Sequence, residues 1–175
     1  PLHLYRLAPA KPIINQEGPY DHPLEEDGRV PLPPRKAAYW SFLSGAPGFT
    51  YGCFGIWNWG VPIRWYPAYD FATALNLPAV AEIKHLASFF GGLRWWTLEP
   101  RHELVPYQAT DPMHRLAVAA SPAGDLVVAY LPDNDAIALN LAGFSASLRG
   151  RWFNPLTGEY APLHEPVTTG RIQTF

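Results

Sequence analysis

The segment Asn15-Gln16-Glu17-Gly18-Pro19-Tyr20-Asp21 places a carboxylate directly behind a short apolar run, Pro12-Ile13-Ile14. If that run is a buried strand, Glu17 stands at its carboxyl end, where parallel β/α architectures collect their reactive side chains. A carboxylate so placed can serve as nucleophile or general base. The plainer alternative is a loop glutamate that opens a turn. A second run, Phe54-Gly55-Ile56-Trp57-Asn58-Trp59, follows another short apolar stretch. Flat aromatic faces stack on the C–H faces of sugar rings, and an amide such as that of Asn58 satisfies their hydroxyls, so two Trp flanking an Asn fit a carbohydrate pocket. The alternative for Trp57 and Trp59 is packing beneath a neighbouring helix.

Other reactive residue types form weaker patterns. Asp21, Glu25, Glu26 and Asp27 are acidic but lack the alternating oxygen spacing of a calcium loop, and read as a solvated face. His3, His22, His85, His102, His114 and His164 are scattered without an i,i+4 pair, so the expectation is no metal and no cofactor. Cys53, in an apolar stretch, reads as a small buried hydrophobe. Neither a nucleophile elbow around a serine nor a glycine-rich phosphate loop occurs, and Gly45-Ala46-Pro47-Gly48 reads as a helix-to-strand connection.

These residues need elements to hold them. Pro33 to Gly45 predicts a helix, with prolines in its first turn and a glycine at its end. Pro78 to Phe90 predicts a second, with Val80, Ile83, Leu86, Ala87 and Phe90 at helical spacing and Gly91-Gly92 behind it. A short helical turn at Phe71 to Leu75 precedes it. The apolar runs Pro12–Gln16 and Phe49–Phe54 have the length of strands buried on both faces. Strand, helix, strand, helix is the signature of a parallel sheet, and two strands alone do not make one, so more strands are expected from elsewhere.

Beyond about Leu104 the period becomes two. Leu116, Val118 and Ala120 alternate with Arg115, Ala117 and Ala119; Ala123-Gly124-Asp125 then turns the chain into Leu126–Leu131. Pro132–Asp135 turns again into Ala136–Leu141, Ser147–Phe153 forms a further strand, and Asn154–Glu159 turns before Tyr160. Short strands with a turn every ten or so residues predict a small antiparallel sandwich. The expected division is therefore an α/β part over residues 1–98 and an all-β part over 99–175.

Composition agrees with a packed soluble fold. Of 175 residues, 48% are hydrophobic and 14% aromatic, while 16% are charged against about 25% in an average domain. The formal charge is -2 and no basic run exists, which argues against nucleic acid as a partner. One cysteine leaves no internal disulfide. No apolar run approaches the roughly 18 residues of a membrane span, so no membrane partner is expected. The chain opens on Pro1 and closes in an apolar–polar alternation, Ile172-Gln173-Thr174-Phe175, which reads as a piece of a longer protein.

Taken in order, Lys11-Pro12-Ile13-Ile14-Asn15-Gln16-Glu17-Gly18-Pro19-Tyr20, Arg35–Ala46 and Gly48-Phe49-Thr50-Tyr51-Gly52 resemble the C-terminal part of the apiosidase-like glycoside hydrolases. Trp57-Asn58-Trp59, Phe89-Phe90, Trp95-Trp96 and Trp152-Phe153-Asn154-Pro155-Leu156-Thr157-Gly158 resemble the end of that catalytic domain and the small appended domain often labelled collagen-binding. The resemblance implies the last two β/α units of a TIM-type (β/α)8 barrel, followed by a β-sandwich. It matches Glu17 to the carboxylate after the seventh strand and Tyr20 to the aromatic that follows it. Asp21 stands where a Glu is common, and Gln16 where a Gly is common.

The implied reaction is hydrolysis of a glycosidic bond in an oligo- or polysaccharide, apiose-containing pectic side chains being the type substrate. Glu17 is the implied nucleophile, and Tyr20, Trp57, Asn58 and Trp59 the implied sugar subsite. Such chemistry needs two carboxyl groups. The acid/base partner is expected from the N-terminal barrel half, so this chain alone is expected to be inactive. Polymeric glycans are met outside the cytoplasm, which implies an extracellular or periplasmic protein. The competing reading makes the sandwich a non-catalytic module that binds a carbohydrate or another polymer, or one that simply covers an edge of the barrel.

Overall fold

The computed structural model describes residues 1–9, 11–21, 32–63, 68–133, 136–144 and 147–175. His22, Glu25, Glu26 and Asp27, together with part of the turn expected at Pro132–Asp135, lie outside them. The chain begins with a single helical turn, α1 (Leu2–Tyr5), and continues through β1 (Ile14–Asn15) and β2 (Tyr20–Asp21) into α2 (Pro34–Leu43). Then come β3 (Gly48–Phe49), β4 (Gly52–Cys53), α3 (Phe71–Ala74) and α4 (Pro78–Gly91). All remaining strands are antiparallel: β5 (Glu99–Pro100), β6 (Ala117–Ala120), β7 (Val127–Tyr130), β8 (Ala138–Asn140), β9 (Arg151–Phe153), β10 (Tyr160–Pro162) and β11 (Ile172–Thr174).

Prolines and caps set the helices where the sequence places them. Pro34 occupies the first turn of α2, where its missing N–H costs nothing. At the other end the Gly45 amide donates to the Phe42 carbonyl and the Ala46 amide to that of Ser41, which closes a Schellman motif. In α4, Ala79, Leu86 and Phe90 are buried and Ile83 and Phe89 pack against the core, whereas Ala87 is exposed. The buried stripe is thus rotated slightly from the expected one.

The first half pairs in parallel: Ile14 with Gly48 and Asn15 with Phe49, then Tyr20 with Gly52 and Asp21 with Cys53. The strand expected over Phe49–Phe54 is interrupted, because Thr50–Tyr51 separates β3 from β4; that expected over Pro12–Gln16 shortens to β1, and Gln16–Pro19 separates it from β2. These sheets are small and unclosed. Ile14, expected to be buried on two faces, is 65% exposed because nothing among the described residues covers its outer side.

Period two is clearest in β6, where all four residues are buried. Ala117 and Ala119 face a core formed with Ala38, Tyr39, Leu43, Leu86 and Phe90 from α2 and α4. Val118 and Ala120 face the opposite way, into a second core with Leu104, Ile137, Leu139 and Leu141. The three-stranded sheet β5-β6-β7 therefore carries helices on one face and the β8–β11 pair on the other. The first of these cores is built from residues on both sides of position 98.

Polar side chains tie α2 to its surroundings. Arg35 pairs with Glu82 of α4 at 3.1 Å and donates to the Tyr130 hydroxyl of β7 at 2.8 Å. Lys36, itself buried, pairs with Asp133 and donates to the Met113 carbonyl at 3.3 Å. Buried cations hold this way because each finds an opposite charge and an acceptor.

Candidate active site at the carboxyl ends of the parallel strands

Glu17 lies on the four-residue link Gln16–Pro19 between β1 and β2, and its side chain is exposed. Tyr20 donates its hydroxyl to Glu17 Oε1 at 3.4 Å. The Tyr20 ring packs at 5.4 Å from Phe54 and edge-on at 6.4 Å from Trp57, while Phe54 and Trp57 lie 5.7 Å apart. Burial, followed by the Glu17 charge and the hydrogen bond to it, pushes the Tyr20 phenol up. Tyr20 therefore keeps its proton at neutral pH and can donate it in the hydrogen bond to Glu17.

Strand chemistry makes room for this ring. Tyr20 stands opposite Gly52, and a Cβ built on that glycine would lie 2.7 Å from the Tyr20 ring. Beyond β4 the chain turns at Gly55 (φ 128°), where a Cβ would meet Ala74 Cβ and the Tyr69 carbonyl at 2.7 Å. The turn presents Trp57, 50% exposed, and Trp59, 75% exposed.

Asn58 is the clamp of this loop. Its amide oxygen accepts from the Gly55 N–H at 2.6 Å, and its nitrogen donates to the Val61 carbonyl at 2.7 Å. Each end of an amide can form one further bond, so the clamp does not use up its capacity for a sugar hydroxyl. Trp59 has a left-handed backbone (φ 54°), a conformation that costs a non-glycine residue about 1–2 kcal/mol. One face of its ring stacks on Phe71 of α3 at 5.3 Å. Thus Trp57 joins the Tyr20 group, and Trp59 is held by a separate contact.

A second polar pair joins β2 to the link between β3 and β4. Tyr51 donates to Asp21 Oδ2 at 3.3 Å, and burial followed by the Asp21 charge raises the Tyr51 phenol far above its ordinary value. Burial also raises the Cys53 thiol, so this buried sulfur stays protonated and is a poor nucleophile. Tyr51 was legible only as part of the stretch between Gly48 and Gly52. Its bond to Asp21 has no signature in residue spacing.

The Glu17 link also borders a cavity of about 540 Å³, whose lining includes Asn15, Trp40, Ser41, Ser44, His102 and Arg115. Asn15 donates to Ser41 Oγ at 2.9 Å, and His102 bonds Ser44 through Nε2 at 3.2 Å. Asn15 stands two residues before the predicted carboxylate in the motif, but His102 carries no sequence signal at all. Tyr20, Trp57, Asn58 and Trp59 are not part of this lining.

A mixed helix-and-sheet chain of this shape is shared with solved glycoside hydrolases. One structure titled "Glycoside hydrolase" superposes with a TM-score of 0.80 at 20% identity, covering 97% of this chain and 39% of that one. A glycoside hydrolase family 5 structure from Bacteroides vulgatus gives a TM-score of 0.81 at 18% identity, covering 97% and 38%. The chain thus spans about two-fifths of the structures it matches. Residues 2–97 match the family model described as "Apiosidase-like, catalytic domain", and the chain belongs to that family. No curated protein matches it in sequence.

Proposed function

We propose that this chain is the C-terminal part of a glycoside hydrolase, comprising the last two β/α units of a TIM-type barrel and an appended antiparallel β-sandwich. The observation that carries the reading is Glu17, solvent-accessible on the link after β1, with the Tyr20 hydroxyl directed at its carboxylate. Glu17 attacks the anomeric carbon and forms a glycosyl ester, while an acid from outside these residues protonates the departing glycosidic oxygen. Water then attacks the same carbon, the second carboxyl group takes its proton, and Glu17 is released. Tyr20, Trp57, Asn58 and Trp59 line the sugar subsite, with Trp faces against the C–H face of the ring. The substrate class is an extracellular or periplasmic plant-type glycan, apiose-bearing pectin being the type for this family.

The test is Glu17→Gln in the longest natural form of the protein. The variant should lose turnover on pectic side-chain oligosaccharides while its unfolding midpoint stays within about 0.5 kcal/mol of the parent, since the replaced group is exposed. Retained turnover would remove Glu17 from the reaction.

The polymer-binding reading is less well supported. Trp152 and Tyr160 are both exposed on the β9–β10 hairpin, but Tyr160 is opposite Phe153 and Trp152 opposite Ala161. Neighbours along a strand point to opposite faces, so the two rings do not form one flat strip.

A further inference from the structure

The antiparallel module grips α2 at several points, and α2 in turn holds the strand end that carries Glu17. Val118 of β6 donates its backbone N–H to His102 Nδ1 at 3.1 Å. That bond requires Nδ1 to be unprotonated, so the neutral ring carries its proton on Nε2 and donates to Ser44 Oγ at 3.2 Å. Ser44 caps α2, and one turn earlier the buried Ser41 accepts from the Asn15 side chain at 2.9 Å. Asn15 is two residues before Glu17, and its carbonyl accepts from the Thr50 N–H at 3.0 Å in the parallel ladder. A hydrogen-bonded path thus runs from β6 through His102, Ser44 and Ser41 to the end of β1, around the cavity that Glu17 borders.

We propose that His102 is a positioning residue for Glu17, and that holding this strand end is a working role of the antiparallel module. The proposal rests on the reading of Glu17 given above. The Tyr39–Tyr130 stack and the bonds of Arg35, Lys36 and Trp40 fix the body of α2 against the sheet. The His102–Ser44 bond adds a fixed partner at its C-terminal end, one turn from the Ser41 that holds Asn15. Two side chains make the joint at Ser44, and either can be removed without touching the Val118 contact: Ser44→Ala keeps the imidazole, and His102→Asn keeps an acceptor where Nδ1 stands.

Hydrogen exchange followed by mass spectrometry on the chain tests the idea without any turnover. Ser44→Ala and His102→Asn should each speed exchange at the Thr50 and Phe54 amides, which bond the Asn15 and Asp21 carbonyls, by about 2- to 10-fold, the range set by one hydrogen bond. The double variant should be no worse than either single one. Amides of the β6–β7 ladder should exchange as in the parent. Unchanged exchange at Thr50 and Phe54, or an equal rise across β6 and β7, overturns the proposal. In the longest natural form the same substitutions should lower kcat while leaving KM within about twofold, the signature of a misplaced reacting group. If exchange rises locally and Glu17→Gln nevertheless retains turnover, the coupling stands and the catalytic reading fails.

Discussion

Gly52 is a sharp lever on the site, because the Tyr20 ring lies across it. A Cβ at position 52 would stand 2.7 Å from Tyr20 Cδ1 and Cε1 and 2.9 Å from Cζ. Ordinary contact begins near 3.4 Å, so Gly52→Ala forces the ring or the strand to yield by about 0.7 Å. The ring has Phe54 and Trp57 beside it, and the strand is held by the Phe54 N–H, which donates to the Asp21 carbonyl at 2.9 Å. Overpacking against such neighbours costs about 1–3 kcal/mol, and each kcal/mol lowers Tm by about 2–4 °C in a chain of this size. Thermal and urea unfolding read the stability, and near-UV circular dichroism reads the displaced Tyr20–Trp57 pair. In a Tyr20→Ala background the penalty should vanish, since the atoms that clash are gone. A Gly52→Ala protein within about 0.5 kcal/mol of the parent with an unchanged near-UV spectrum would refute the argument. So would a penalty that survives removal of the ring.

Two further outcomes follow from the joint between helices and sheet. Tyr39 is 3% exposed and stacks on Tyr130 at 4.5 Å, yet its hydroxyl has no hydrogen-bond partner among the described residues. Tyr39→Phe keeps the stack and removes a desolvated polar group, so urea unfolding should show about 1–3 kcal/mol of added stability; a loss would mean that the hydroxyl is bonded. His102 is held below the usual imidazole range by burial and then by the Arg115 charge, with Arg6 adding to this and Glu103 opposing it. The unfolded chain therefore binds a proton near pH 6.5 that the folded chain resists. This contribution is complete above that pH and is lost as the pH falls towards the folded value. Urea midpoints taken between pH 7.5 and 5.5 should fall less steeply in His102→Asn than in the parent, and identical slopes would exclude His102 as the titrating group.

Much of this fold was legible in one dimension because its determinants are local. Prolines in a first turn, a glycine behind the last, and apolar residues at 3 and 4 spacings placed α2 and α4 to within a few residues. Alternation placed β6, and Gly124 (φ 72°) and Gly158 (φ 76°) stand in turns the residue types had marked. The order of short motifs around Glu17, Tyr20 and Trp57 was enough to suggest the family to which the chain belongs. Local chemistry also marked Asn58 as a partner for the two Trp residues, although its amide first serves to close the loop that carries them.

What only the tertiary structure decided depends on residues far apart in the chain. Tyr51 meets Asp21 across 30 positions, Ser44 meets His102 across 58, and Arg35 meets Tyr130 across 95. Spacing carries no record of such pairs, since the partner is chosen by how helices and sheets pack rather than by neighbours along the backbone. The same holds for the two faces of β6: alternation announces that there are two, but not that one receives α2 and the other β8. Local sequence thus determined the short motifs that stand near the end of the parallel strands. Packing determined which of them touch, and brought His102 of the antiparallel half to Ser44 at the end of α2.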